Sequence, residues 1–309
     1  MNITNADIQY LPHAAIDKQH WDHAIRNAKN RLVYAQSACL DILCPDWDAL
    51  ATNNYGFIMP LPWKKKWGIR YLYQPFGFAQ GGIFYSDKCS PEIVQLFIER
   101  TTLHFSYGTF DLNEANDIST VNKGNIIMRD NYVLDLLKPY EENFNAFNKD
   151  AKKNLRQAKS TLQQVIYDVP VNDVVDMYKA QYGLLNKSAN SDYEKLGRLV
   201  NDFITQDKAF SIGVEIDNKL VSSAIFLKDA NRLYYVLGAP TTRGKEFKSM
   251  HLLIDHVIKT FSNTNYQLDF EGSDIPSVAT FYKKFAPVNR QYPRVHFNRL
   301  PLLIRWLKP

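Results

Sequence analysis

The segment YQLDFEGSDIPSVATFYKKF, residues 266 to 285, puts the carboxylates of Asp269 and Glu271, the phenol of Tyr282 and the amines of Lys283 and Lys284 into one short stretch. In an extended strand Tyr266, Leu268 and Phe270 point to one face and Gln267, Asp269 and Glu271 to the other, so the two carboxylates share a face. Gly272 is a strand end, Ser273 and Asp274 offer capping oxygens, and Pro276 suits the first turn of a helix running to Phe285. General acid–base chemistry needs a proton acceptor, a proton donor and a group that steadies the charge that develops between them. Glu271 can be the acceptor, directly or through water, Tyr282 the donor, and Lys283 the group that steadies an oxyanion or a phosphate. Asp269 can touch substrate. The same residues also suit a structural reading, in which Asp269 and Glu271 cap the next helix and pair with Lys283 or Lys284.

Three other stretches carry polar residues at useful spacings. Arg243, Gly244, Lys245 and Ser249 lie where a loop opens a helix, and loose N–H groups with the helix dipole favour an anion there; a plain polar surface loop has the same composition. Gln74, Phe76 and Gln80 stand in QPFGFAQGGIF, a Gly- and Pro-punctuated loop that can line an acceptor cleft or pack between domains. In FNAFNKDAKKNLRQAKSTL the apolar stripe Phe144, Phe147, Ala151, Leu155, Ala158 and Leu162 leaves Lys149, Lys152, Lys153, Arg156 and Lys159 on an adjoining face. Of these Lys152, Lys153 and Arg156 are candidates for a phosphate or nucleic-acid contact, against the alternative of a merely solvated face.

The elements that must position these groups follow from punctuation and period. The chain has 309 residues, 45% of them hydrophobic, enough for two ordinary cores, and its net charge of +5 favours an anionic ligand without the density of a dedicated nucleic-acid protein. Helical patterns in WDHAIRNAKN and AQSACLDILCPDWDAL precede strand-like YGFIMPLPW, WGIRYLYQPFG and GGIFY, a helix SPEIVQLFIERTTLHF, then strand-like FDLNEA and IIMRDNYVLDL. The pattern resets near Lys138-Pro139, which places the domain boundary after residue 140: residues 1–140 form one α/β sandwich and 141–309 a second. In the second, FSIGVEI, LVSSAIFL and RLYYVLGAP form an antiparallel meander around the turn Asp217-Asn218. SMHLLIDHVIKTF is a helix with Met250, Leu253, Ile254, Val257 and Phe261 on its buried face. Cys39, Cys44 and Cys89 suggest neither a disulfide framework nor a zinc site, and His20 with His23, or His251 with Asp255 and His256, lack a third metal ligand. With no apolar run of membrane-spanning length, the expectation is a protein of the cytoplasm that neither inserts into a membrane nor uses a metal.

Meander, loop, helix, strand and Tyr-bearing helix together resemble the GNAT superfamily of N-acyltransferases, on the segments TTRGKEFKSMHLL and ATFYKKFAP. The resemblance implies a fold of two tandem mixed-sheet α/β sandwiches, with Arg243, Gly244, Lys245 and Ser249 on the donor. Glu246 and Lys248 stand where that superfamily usually has glycines, which weighs against ordinary acetyl-CoA binding, because glycines let backbone N–H groups close around a pyrophosphate. LDFEGS, the following FYKKF and the basic helix AKKNLRQAK are similar to the two-domain Fem-like branch, the peptidoglycan-bridge aminoacyltransferases. Many members there carry a lysine where this chain has Tyr282, with Lys283 one position later. The resemblance implies transfer of an acyl or aminoacyl group from acyl-CoA or aminoacyl-tRNA, neither held permanently, to a small-molecule or peptide amine in envelope metabolism. The other reading is a non-catalytic binding module on a degenerate fold of this type.

Overall fold

The run IIMRDNYVLDL, continuous in hydropathy, belongs to two different sheets. Residues 125–129 form one strand and 132–135 another, and the chain's two structural units part between them: Met1–Arg129 with Gln291–Pro309 form the first, Asp130–Arg290 the second. The computed structural model describes residues 3–121, 125–186, 188–272 and 275–305; Ser273 and Asp274, read above as helix caps, lie outside them. The boundary expected after residue 140 therefore falls about ten residues earlier, and the last strand belongs to the first unit. Hydropathy could not separate the two strands, since both are apolar and only their partners differ.

In the first unit the strands are β1 (Ile8–Leu11), β2 (Trp47–Thr52), β3 (Phe57–Lys66), β4 (Ile69–Leu72), β5 (Phe84–Tyr85), β6 (Tyr107–Asp111) and β7 (Asn125–Arg129), with helices α1 (Lys18–Asn27), α2 (Ser37–Leu43) and α3 (Pro91–His104). The helical pattern AQSACLDILCPDWDAL is cut short. Pro45 disfavours helical backbone at Cys44, which caps α2 at φ −144°, and Trp47 opens the buried strand β2.

The second unit holds β8 (Tyr132–Asp135), β9 (Gln164–Tyr167), β10 (Ala209–Ile216), β11 (Lys219–Lys228), β12 (Arg232–Pro240), β13 (Gln267–Asp269) and β14 (Val288–Asn289), in the order β14-β8-β13-β12-β11-β10-β9. The β10–β11 turn sits on Asp217 and Asn218, both left-handed, as a two-residue hairpin requires. The helices are α4 (Tyr140–Ala146), α5 (Lys149–Lys159), α6 (Val171–Asn186), α7 (Asn190–Thr205), α8 (Thr242–Glu246), α9 (Ser249–Phe261) and α10 (Pro276–Lys283). One core joins α5, α9 and α10 to Ile212, Val214, Phe226, Leu233 and Leu268 of the sheet. The single helix expected from Phe144 to Leu162 is two, because Asn148 leaves helical geometry and its side chain caps α5 by accepting from Ala151 N at 2.7 Å. Leu162 falls beyond α5 and is exposed.

Finally β15 (Tyr292–Asn298) and α11 (Leu302–Arg305) complete the first unit, whose sheet runs β1-β2-β3-β4-β6-β15-β7 with β5 on β3. Parallel pairs, β4–β6 in one sheet and β12–β13 in the other, make both sheets mixed, and the fold class is α/β.

Candidate active site

β12 and β13 pair at three positions only, Arg232 to Gln267, Leu233 to Leu268 and Tyr234 to Asp269. β12 continues to Pro240 against β11 alone, while the chain beyond Asp269 turns away through Glu271 at φ 59° and Gly272 at φ 66°. Glycine is required at 272, since a Cβ there would stand 2.0 Å from the Asp130 carbonyl oxygen. Glutamate at 271 has no such freedom, and its left-handed backbone is strain held by the surroundings. The shared strand face expected for Asp269 and Glu271 is therefore absent: the strand ends at Asp269, and the left-handed residue re-aims Glu271.

Asp269 is buried and holds that turn. Its Oδ1 accepts from Glu271 N at 2.8 Å, and its Oδ2 lies 3.3 Å from Arg232. Glu271 Oε1 is enclosed and has no hydrogen-bond partner among the described residues, and burial raises its carboxyl well above the ordinary carboxylate range. Tyr282 from α10 is also buried, stacked on Phe270 with ring centroids 4.9 Å apart. Its phenol is pushed well up, first by burial, then by Tyr235, Tyr178 and Tyr182, and last by Glu271, so Tyr282 keeps its proton near neutral pH and can donate it.

Tyr282 lines a cavity of about 390 Å³ beside the stretch of β12 that pairs with β11 alone. Tyr235, Gly238 and Pro240 of β12 form one wall, and Gly238 must be glycine because a Cβ would meet the Tyr235 hydroxyl at 1.9 Å. Gly244, Lys245 and Lys248 form another; a Cβ on Gly244 would lie 2.1 Å from the Val221 carbonyl oxygen, so α8 can approach the sheet only through glycine. Lys248 has φ 59° and opens α9, so a glycine would be unstrained there, yet this chain places an ammonium group at that position. Lys284 adds a third cation, and no carboxylate lines the cavity among its described residues. Three lysines and the N-terminus of α9 thus give the cavity a lining of positive charge.

His251, in the first turn of α9, faces the same cavity with its Nε2 accepting from Asn154 Nδ2 at 3.0 Å. Burial, with Lys284 and Lys248 adding to it, lowers its pKa to about 3, so the ring is neutral at physiological pH. The sequence reading treats His251 only as a metal-ligand candidate and Lys284 only as a pairing partner for the two acids, and it gives Asn154, Tyr182 and Tyr235 no role. One signal was present, a histidine in the turn that follows the anion-loop segment.

Other candidates are placed elsewhere. Lys283 is exposed, with its ammonium 5.4 Å from the Tyr132 ring centroid, and Lys284 takes the position in the cavity. Arg243 is bound to Asp217 at 2.6 Å, and the buried Ser249 donates to Gln163 Oε1 at 2.6 Å, so neither lines the cavity. On α5, Lys152 donates to the Asn145 carbonyl at 2.8 Å, Arg156 Nε lies 3.4 Å from the Lys152 carbonyl oxygen, and Lys153 is exposed. In the first unit Gln74 donates to the Phe78 carbonyl and accepts from Asp111 N, Gln80 is buried and accepts from Glu114 N at 3.0 Å, and Phe76 is half-buried.

Solved structures with the same architecture define the class. FemX, at 12% identity, matches over 99% of both chains with a TM-score of 0.65. L-PGS from Bacillus licheniformis, at 10% identity, matches over 94% of this chain and 95% of its own with a TM-score of 0.55. A tandem GNAT protein from the clavulanic acid biosynthesis pathway, at 9%, matches over 95% and 99% with a TM-score of 0.53. The chain thus shares the tandem two-sheet α/β fold of these proteins, the GNAT-type fold. No family profile and no curated protein matches it by sequence. Among the described residues no helix is long and apolar enough to cross a membrane.

Proposed function

We propose that the second unit is an acyltransferase, moving an acyl or aminoacyl group from a phosphate-bearing donor, acyl-CoA or aminoacyl-tRNA, to an amine. One observation carries this reading: three lysines and a helix N-terminus surround a cavity that also receives the Tyr282 phenol. Lys245, Lys248 and Lys284 hold the donor's phosphate. The amine nitrogen attacks the acyl carbonyl carbon, the Glu271 carboxylate takes the proton the nitrogen loses, and the leaving oxygen or sulfur takes the Tyr282 proton. A small-molecule or peptide amine, including one destined for the cell envelope, fits the acceptor role.

Coenzyme A and aminoacyl-tRNA should be titrated in parallel into the protein and into a Lys245→Gln, Lys248→Gln, Lys284→Gln variant. Binding of one of the two, weakened at least tenfold in the variant, with acyl transfer to an amine acceptor on mixing, is the expected result. Binding without turnover on any amine would leave a non-catalytic module, and binding unaffected by the three changes would move the donor site elsewhere.

A further inference from the structure

The hairpin of β3 and β4 continues past the body of its sheet. β2 follows β3 only as far as Pro62, β5 covers only Phe57 and Ile58, and β4 meets β6 only at Leu72. Residues 64 to 71 therefore pair with nothing but each other, Lys64 to Tyr71, Lys65 to Arg70 and Lys66 to Ile69. The turn is left-handed at Trp67, φ 51°, and at Gly68, φ 81°. Trp67 is 72% exposed, although an indole is among the costlier side chains to leave in water.

The charge at this tip is of one sign. Lys64, Lys65, Lys66 and Arg70 are exposed, and the sequence has no Asp or Glu between Asp48 and Asp87. Arg70 reaches back to Asp48 at 3.1 Å, but none of the three lysines has a carboxylate within ion-pair distance among the described residues. Lys65 and Arg70 oppose each other across the strands, an arrangement of like charges that destabilises a hairpin. Lys64 also lies over the Tyr73 ring at 4.2 Å, but ring contacts leave the lysine charges without a counter-charge, a composition that suits an anionic partner outside the chain. A base stacked on Trp67 would have to displace Lys66, whose ammonium lies 4.6 Å from the indole centroid. An indole beside ammonium groups on a projecting turn instead matches the boundary of an anionic bilayer, where tryptophan sits at headgroup level and each nearby lysine adds to attraction.

We propose that this hairpin docks the protein peripherally on an anionic lipid surface, with Trp67 among the headgroups and Lys64, Lys65 and Lys66 on lipid phosphates. The inference is independent of the transfer chemistry. The full-length protein should co-sediment with vesicles rich in phosphatidylglycerol but not with phosphatidylcholine vesicles, and its tryptophan emission should shift to the blue on binding. Lys64→Gln, Lys65→Gln and Lys66→Gln together should lower the partition coefficient on the order of a hundredfold. Trp67→Phe should abolish most of the blue shift, with the melting temperature unchanged. Equal binding to both vesicles, binding to neither, or an unchanged partition coefficient in the lysine variant overturns the proposal. If the lysine variant loses affinity for RNA and the unmodified protein ignores vesicles, the hairpin is a nucleic-acid contact instead.

Discussion

Two buried aspartates, each ion-paired to an arginine, sit in opposite settings. In the first unit Asp111 is gripped by Arg294 through both its oxygens, at 2.6 and 2.8 Å; its backbone N donates to Gln74, and its carbonyl accepts from Gly81 N. Around it the buried amides close on one another: Gln80 takes Glu114 N, while Asn113 and Asn116 donate to the Ile83 carbonyl. In the second unit Asp269 supports a left-handed turn whose next polar group, Glu271 Oε1, is enclosed and unpartnered. Closed polar networks brace a loop, whereas the open end, a carboxyl oxygen with no partner among the described residues, is stability forgone; Glu271 does not itself line the cavity, and its link to it is the charge interaction with Tyr282, which does.

The sharpest break of this contrast is at the open end. Glu271→Gln and Tyr282→Phe should each slow acyl transfer by about 10²–10⁴-fold, measured as steady-state turnover per folded molecule. The pH dependence of stability gives a second reading. Glu271 binds its proton more tightly folded than unfolded, so stability falls as pH rises from the ordinary carboxylate value, about 4.3, through the raised folded value. Glu271→Gln should remove that fall in denaturant midpoints taken across pH. His251 acts with the opposite sign, because its folded pKa of about 3 lies below its unfolded one. Its contribution is complete above pH ~6.5 and is lost as pH drops towards the folded value, a loss that His251→Gln should abolish.

A smaller effect is expected at the closed network. Gln80→Ala leaves the Glu114 N–H without its partner and should cost about 1–3 kcal/mol in chemical denaturation, with turnover per folded molecule unchanged. Lost turnover at full stability would instead give Gln80 a role on the acceptor. Smallest of all is Arg243→Ala. Its pair with Asp217 is exposed, so the loss should be within about 0–1 kcal/mol, and calorimetric donor affinity should not change. A tenfold drop in affinity would restore Arg243 to the donor site.

Much of the second unit could be read along the chain. The meander and its Asp217-Asn218 turn and the stripe Met250, Leu253, Ile254 and Val257 depend on neighbours a few residues away, and local period records such neighbours. Glu271 and Tyr282 were legible as chemistry-bearing residues, but their setting was not. The left-handed turn at Glu271 depends on Asp130 and Asp269, and its lack of a partner depends on what packs around it. Lys283 and Lys284 are indistinguishable as types, and only the burial of Tyr282 decides which of them turns to the cavity. The cavity itself joins α5, α6, β12, α8, α9 and α10, and the shifts of His251 and Tyr282 come from desolvation by all of these together. Desolvation sums over groups that are distant in sequence, so the residue types were set by the chain while their protonation and exposure were set by the fold.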